Sequence, residues 1–370
     1  MKRSEFIRII GGASVATALA PNYGFSADKF SKDGMLIEAS SFMNFGGWVL
    51  DTQFYQQMGG CYLLAHGMGE PVKNAETQIK LEEDGDYYVF VRTMNWRPGN
   101  WEAPGRFKVL FDGKDIGTTF GTQTGWGWQS SGKVTLKAPT KTRGKKVLRS
   151  YSKVEIKDLT GFEGRVDAIY ISKDPNPVLP NTPKELFGWK DEMTGRSKLE
   201  VKSDEYDVVI VGGGITGCGA ALAAESQGLK VALIQDRPIY GGNASEEIRV
   251  HTLGIHGKGG DILKKIDTAH WPNGSSYAKR DQVKREAVLR ASSVRLFHNH
   301  LAIGLEKVGN EIVSVDARES YTGIIRRFKS KSFIDCSGDG CLGFWAGAEF
   351  KYGRESNKDY DEKWDKYGDL

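Results

Sequence analysis

Cysteine is scarce: the 370 residues hold four, Cys61, Cys218, Cys336 and Cys341, widely scattered. They form no CxxC pair, which leaves no disulfide framework and argues against an iron–sulfur cluster in this stretch. Long apolar runs are also missing, so no membrane span is expected beyond the amino terminus, and 39% hydrophobic residues fit a globular chain with room for two domains. Nor is there an excess of one charge. Lysine plus arginine (51) against aspartate plus glutamate (47) leaves only +4, giving no electrostatic case for a nucleic-acid partner. The basic run Lys141, Arg143, Lys145, Lys146 and Arg149 reads as a solvated hairpin face. No metal ligands are assigned, and Asp158 to Asp167 reads as a plain turn rather than a cation loop.

What is present begins with an export-like leader over residues 1–27. MKRSEFIRIIGGASVATALA has a basic start, a mildly apolar centre and an Ala18-Leu19-Ala20 end. It resembles a twin-arginine signal through Lys2, Arg3, Phe6, Ile7 and Arg8, with Ser4 where the second arginine would stand. Pro21 disfavours cleavage after Ala20, so either the cut falls near Ala27 or the segment stays as an anchor. The expected destination is the periplasm or cell envelope.

Residues 33–174 alternate short apolar segments with glycines and hold most of the tryptophans, a pattern that predicts an all-β, jelly-roll-like sandwich. Strands are expected over 87–92, 106–111, 134–136, 154–156 and 166–171, with hairpin turns at Asp84-Gly85-Asp86 and Asp112-Gly113-Lys114. Trp48, Trp96, Trp101, Trp126 and Trp128 fall in glycine- or proline-flanked stretches. Such rings either stack sugar faces or pack the ends of the sandwich, and the sequence leaves both open. The layout resembles carbohydrate-binding modules. Pro175, Pro177, Pro180 and Pro183 then open a linker over 175–203, in which Lys184 to Glu205 reads as a polar connector.

The stretch 206–228, YDVVIVGGGITGCGAALAAESQG, organises the rest. Val208, Val209, Ile210 and Val211 have the length of a buried parallel strand, and the alanine-rich run up to Gly228 favours a helix. Between them Gly212, Gly214 and Gly217 take the GxGxxG spacing of a dinucleotide corner: a tight turn, a close approach to pyrophosphate, and close helix–strand packing. The cofactor contacts expected there are Gly212, Gly213, Gly214, Ile215, Thr216 and Gly217, where helix-start N–H groups face the phosphates. A second strand over 230–234 ends at Gln235, in the usual acidic ribose position, with Asp236 next to it. Arg237 close by keeps a 2′-phosphate, and so NADP, as a minor alternative.

With Gly241-Gly242-Asn243-Ala244-Ser245 added, the stretch resembles the FAD-dependent oxidoreductase family, whose distant relatives include the flavoprotein subunit of heterodisulfide reductase. The resemblance implies FAD as cofactor, with Gly242, Asn243 and Ser245 as contacts. The later Ser337-Gly338-Asp339-Gly340 resembles the segment in which the family's chain returns to the nucleotide, adding Gly338 and Asp339. Residues 204–370 are then a Rossmann-type FAD-binding domain, multidomain with the sandwich, and such relatives continue further, so a truncated carboxyl terminus is expected. Arg249, His251 and His256 follow the GGN loop and are the candidate catalytic groups, while His298 and His300 read as strand-surface residues.

These readings converge on an exported FAD-dependent oxidoreductase acting on a small molecule or saccharide, with the electron acceptor unnamed by the sequence. The alternatives are a glycan-binding protein with a vestigial nucleotide fold and an electron-transfer subunit of the heterodisulfide reductase type.

Overall fold

The computed structural model describes residues 34–97, 102–138, 151–250, 252, 257, 260–267 and 275–353. The leader over 1–27, Trp101, the basic run 141–149, His251 and His256 lie outside them. The chain divides into two compact units, the first Met1–Glu200 with Glu319–Ile324, the second Val201–Arg318 with Ile325–Leu370.

In the first unit the strands are β1 (Met35–Glu38), β2 (Val49–Asp51), β3 (Tyr62–His66), β4 (Ala75–Ile79), β5 (Gly85–Thr93), β6 (Phe107–Phe111), β7 (Lys114–Phe120), β8 (Gly127–Leu136), β9 (Ser152–Asp158) and β10 (Phe162–Ser172), with helices α1 (Tyr55–Met58) and α2 (Pro183–Met193). All pairings are antiparallel and form two sheets. One runs β2-β3-β10-β5-β8 with β1 also on β10; the other runs β4-β9-β6-β7. Alternate residues of both sheets, among them Leu63, Val89, Val91, Val109, Val154, Ile156, Ile169 and Ile171, meet in one apolar core. Trp48 belongs to that core at 3% exposure and meets Phe107 edge-on, so for this ring the packing role holds.

Two expectations differ from what is found. Asp112 and Gly113 take φ of 52° and 79° and turn β6 directly into β7, as a two-residue hairpin requires. Asp84-Gly85-Asp86 forms no hairpin, because β4 and β5 lie in different sheets; Gly85 simply begins β5, and the Asp84 carboxylate accepts the Ala138 N–H. The second difference concerns the expected polar connector, which contains α2. This helix opens on Thr182 with Pro183 in its first turn. It lies over the outer face of the six-stranded sheet, where Trp189 and Met193 pack against Leu36, Phe90, Ala168 and Tyr170. Lys190, 1% exposed, donates to Asp167 at 2.5 Å and to Met58 O at 2.8 Å, while Arg92 reaches the other carboxylate oxygen of Asp167 at 3.0 Å. A lysine that looks solvated in the sequence is thus a buried anchor. Asp167 and Asp158 are both committed to protein partners, Asp158 accepting from Val72, Thr160 and Gly161 N–H groups, as the turn reading of that loop expects.

The second unit contains β11 (Lys202–Glu205), β12 (Val208–Val211), α3 (Ile215–Ser226), β13 (Val231–Ile234), α4 (Gly260–Ile266), α5 (Ser275–Ala291), β14 (Arg295–Phe297), β15 (His300–Val308), β16 (Glu311–Glu319), β17 (Ile325–Lys329), β18 (Ser332–Asp335) and α6 (Cys341–Ala346). A parallel sheet runs β14-β13-β12-β18, and a second sheet β11-β17-β16-β15. The four-residue apolar strand β12 is buried on both faces. Val208 and Ile210 pack with Ala221, Leu222 and Leu289 of the helical layer, whereas Val209 and Val211 pack with Val315, Ala317 and Phe328 of the second sheet. That double burial is why the strand reads as a continuous apolar run rather than an alternation.

Candidate functional site

The order β14-β13-β12-β18 places the chain's second and third parallel strands on one side of β12 and its fourth on the other. The carboxyl end of β12 is therefore the point where the winding reverses, the place where open α/β sheets bind ligands. The glycine corner sits there.

Each glycine has a distinct reason. Gly212 takes φ +101°, and a side chain on it would come within 2.1 Å of Cys336 O. A Cβ on Gly217 would lie 1.9 Å from Gly212 O, so only glycine lets α3 start this close to β12. Around Gly214, by contrast, a Cβ would meet nothing within 4 Å. Gly214 is the N-cap of α3, and no side chain caps it. The first N–H groups of a helix have no intrahelical partner and lie at the positive end of the helix dipole. Ile215, Thr216 and Gly217 supply them.

Two segments flank the corner. On one side Gly241 N donates to Gly213 O at 2.7 Å, and Gly241 bridges to Gly214, bringing the Gly242–Ala244 turn alongside. Asn243 is exposed in that turn, and Ser245 is buried, its hydroxyl accepting the Glu247 N–H. On the other side Cys336 N donates to Val211 O at 2.7 Å, and the chain continues through exposed Gly338 and Asp339. Sequence reading missed the neighbouring Asp335. Its carboxylate accepts from Ser337 and from Leu342 N at 2.8 Å, tying the return segment to the start of α6; burial raises its pKa, but these hydrogen bonds outweigh that and hold it below the ordinary value.

Gln235 stands differently from the expected ribose ligand. Its carboxamide is buried, its Oε1 accepting the Gly213 N–H at 2.7 Å and its Nε2 donating to Ile239 O at 3.0 Å. It clamps the glycine turn to the loop after β13. Asp236 is half-buried and holds the acidic group at this strand end, with burial pushing its pKa up against the pull of Arg237. Arg237 in turn pairs with Glu247 at 2.8 Å. Replacing Gln235 by leucine strands both the Gly213 N–H and the Ile239 carbonyl. The expected loss is about 2–6 kcal/mol, taking roughly 1–3 per orphaned group, read as a lowered thermal midpoint together with weaker cofactor retention.

Cys218, on α3, is fully buried and donates to Gly213 O at 3.3 Å; burial pushes its thiol up to about 12. It is an inert packing thiol. His298 corrects its expected place on a strand surface: the turn at Asn299 lays its ring over Tyr240, centroids 4.3 Å apart, with Nε2 3.6 Å from Glu286.

Of the catalytic candidates, Arg249 is described. It is exposed at φ +65°, its Nε donates to Glu246 O at 3.0 Å, and it lines a groove of about 490 Å³ with Glu246, Glu247, Ser276 and Lys279. Lys279 and the two glutamates were not singled out from the sequence, where a helical lysine and a loop Glu-Glu carry no motif.

The fold and the corner are those of a dinucleotide-binding domain. Residues 207–369 match the FAD dependent oxidoreductase family and residues 121–260 the pyridine nucleotide-disulphide oxidoreductase family. FAD is the cofactor. The aerobic glycerol-3-phosphate dehydrogenase of Staphylococcus aureus is 43% identical over 60 residues, covering 16% of this chain and 10% of that protein, so the match takes in a tenth of the relative's length. Among solved structures, the glycerol-3-phosphate dehydrogenase from Bacillus halodurans complexed with FAD is 18% identical over 36% of this chain and 34% of its own, with a TM-score of 0.26. A family 35 carbohydrate binding module from Clostridium thermocellum is 15% identical over 37% of this chain and 95% of its own, with a TM-score of 0.28.

Proposed function

We propose that this chain is an exported FAD-dependent oxidoreductase that acts on a small molecule or saccharide, with the first unit a jelly-roll-like sandwich that holds a saccharide. The observation that carries the redox reading is the uncapped start of α3 at Gly214, facing open space at the reversal point of a parallel sheet. An anionic diphosphate satisfies the N–H groups exposed there. Asp236 is the group positioned to take the ribose, and the Gly242–Ala244 turn and Ser337–Gly340 segment close the two sides. When bound, FAD supplies hydride acceptance or donation, and the protein's part is placement. Arg249 and Lys279, lining one groove with Glu246 and Glu247, give a polar substrate both cationic and anionic contacts.

The saccharide reading of the first unit draws support from a half-exposed aromatic patch. Trp96 and Phe54 flank Arg165, their ring centroids 5.7 and 5.6 Å from its guanidinium carbon, and Trp126 packs against Phe54 and Tyr62. Tyr62 donates to Asp51 at 2.5 Å beside them. Rings with polar groups at their edges suit the apolar faces and hydroxyl rims of sugars. Export draws support from the basic start and Ala18-Leu19-Ala20. The test is the absorbance of the purified chain: a flavin band that bleaches on reduction and survives gel filtration is expected. A colourless protein that takes up no added FAD yet is retained on a glycan resin would replace the enzyme reading with that of a glycan-binding protein.

A further inference from the structure

Arg285, on α5, is 0% exposed. Its Nη1 donates to Tyr240 O at 3.0 Å and Gln282 Oε1 at 3.2 Å, yet Nε and Nη2 make no hydrogen bond among the described residues, and the nearest carboxylate oxygen, on Asp267, is 3.8 Å from Nη2. A buried guanidinium with two idle donors is expensive, and a native chain retains one where it acts on something else. Its location says on what. The guanidinium fills the space a side chain at residue 241 would need: a Cβ on Gly241, whose φ is +125°, would lie 2.2 Å from Nη1. Gly241 is the residue whose N–H reaches Gly213 O, and a Cβ on Gly242 would sit 3.1 Å from Gly214 Cα. The cation therefore lies directly behind the peptide that joins the two glycine segments of the corner.

We propose that Arg285 is a positioning residue for the FAD diphosphate: it fixes the Tyr240–Gly241 peptide against the corner and places a buried positive charge behind the site the diphosphate enters. This rests on the FAD reading of the corner. Fixed charge in a low-dielectric interior acts on a neighbouring anion far more strongly than the same charge in water. Gly241 is then glycine because the guanidinium occupies its side-chain space, a reason separate from backbone flexibility alone.

The test uses the 370-residue chain with Arg285→Lys, Arg285→Gln and Arg285→Met, and dissociation constants for FAD and for ADP, which carries the same diphosphate without the flavin. Arg285→Met and Arg285→Gln are expected to weaken both ligands by about 10-fold or more, by similar factors, while Arg285→Lys, which keeps the charge, stays within about threefold of the parent. Glutamine keeps a donor for Tyr240 O, so its loss isolates charge from shape, and it also serves if the methionine variant fails to fold. The proposal is overturned if the glutamine variant binds both ligands as the parent does, or if lysine and glutamine weaken them equally. Should the parent bind neither FAD nor ADP, the FAD reading itself falls, which is a different result from a parent that binds and variants that bind alike.

Discussion

Replacing Gly217 by alanine is expected to weaken FAD binding by at least about 100-fold, or roughly 2.7 kcal/mol, while leaving the first unit folded. The single added methyl carbon would lie 1.9 Å from Gly212 O, and the atom it meets is backbone, which cannot swing aside as a long side chain would. Relief requires the start of α3 to move off β12, and with it the N–H groups of residues 215–217 next to the uncapped Gly214. Those N–H groups must converge on one diphosphate, so a displacement of the helix start loses several contacts together. Fluorescence titration with FAD reads the affinity, and far-ultraviolet circular dichroism the retained strands. Binding within threefold of the parent would mean that the corner does not hold the diphosphate. Alanine at Gly214 is the matched control: its Cβ meets no protein atom within 4 Å, so any loss there comes from the space the ligand needs rather than from strain within the fold.

The second large effect is expected far from the cofactor site. Asp167→Ala leaves Arg92 and Lys190, each about 1% exposed, as two buried cations without their shared carboxylate. Removing one partner of a buried ion pair costs about 3–5 kcal/mol, a large share of the roughly 5–15 kcal/mol by which a domain is stable. Urea unfolding followed by tryptophan fluorescence should show an earlier transition for the first unit, since Trp189 and Trp128 pack against each other beside this cluster. Limited proteolysis should cut within α2 well before the parent is cut there. Lys190→Met is expected to be milder, because Asp167 keeps Arg92 and the methionine fills the same apolar sleeve. An unchanged urea midpoint for Asp167→Ala would show that the cluster contributes little.

The parallel half of the molecule was readable in advance because its signals are local. Val208–Val211, the glycine spacing and the alanine-rich helix each declare themselves within a few residues, and the structure joins them as read. Gln235 was located correctly and given the wrong partner: the sequence shows a glutamine at a strand end, but its two hydrogen bonds go to Gly213 and Ile239, and the contact to Gly213 spans 22 positions and becomes visible only when the turn is built. Arg285 carried no signal at all, since an arginine in a helix rich in lysine and arginine looks solvated until Gly241 is seen to make room for it. The strands β1, β3 and β4 escaped notice because they are short and have partners many residues away, while β2 is only three residues long and β7 is broken by Gly117. α2 was hidden by its own composition: Pro183 at its start and polar residues along its outer face match a connector, and its inward face is carried by Leu186, Trp189, Lys190 and Met193.

That helix changes where the first unit ends as a transferable piece. A version cut at residue 174, after the last strand, would strip the cover from Tyr170 and Phe90 and leave Asp167 with Arg92 alone. The compact unit that α2 belongs to runs to Glu200 and also takes in Glu319–Ile324, so the proline-rich segment before α2 is an internal strap of that unit, and a piece meant to travel intact needs both stretches.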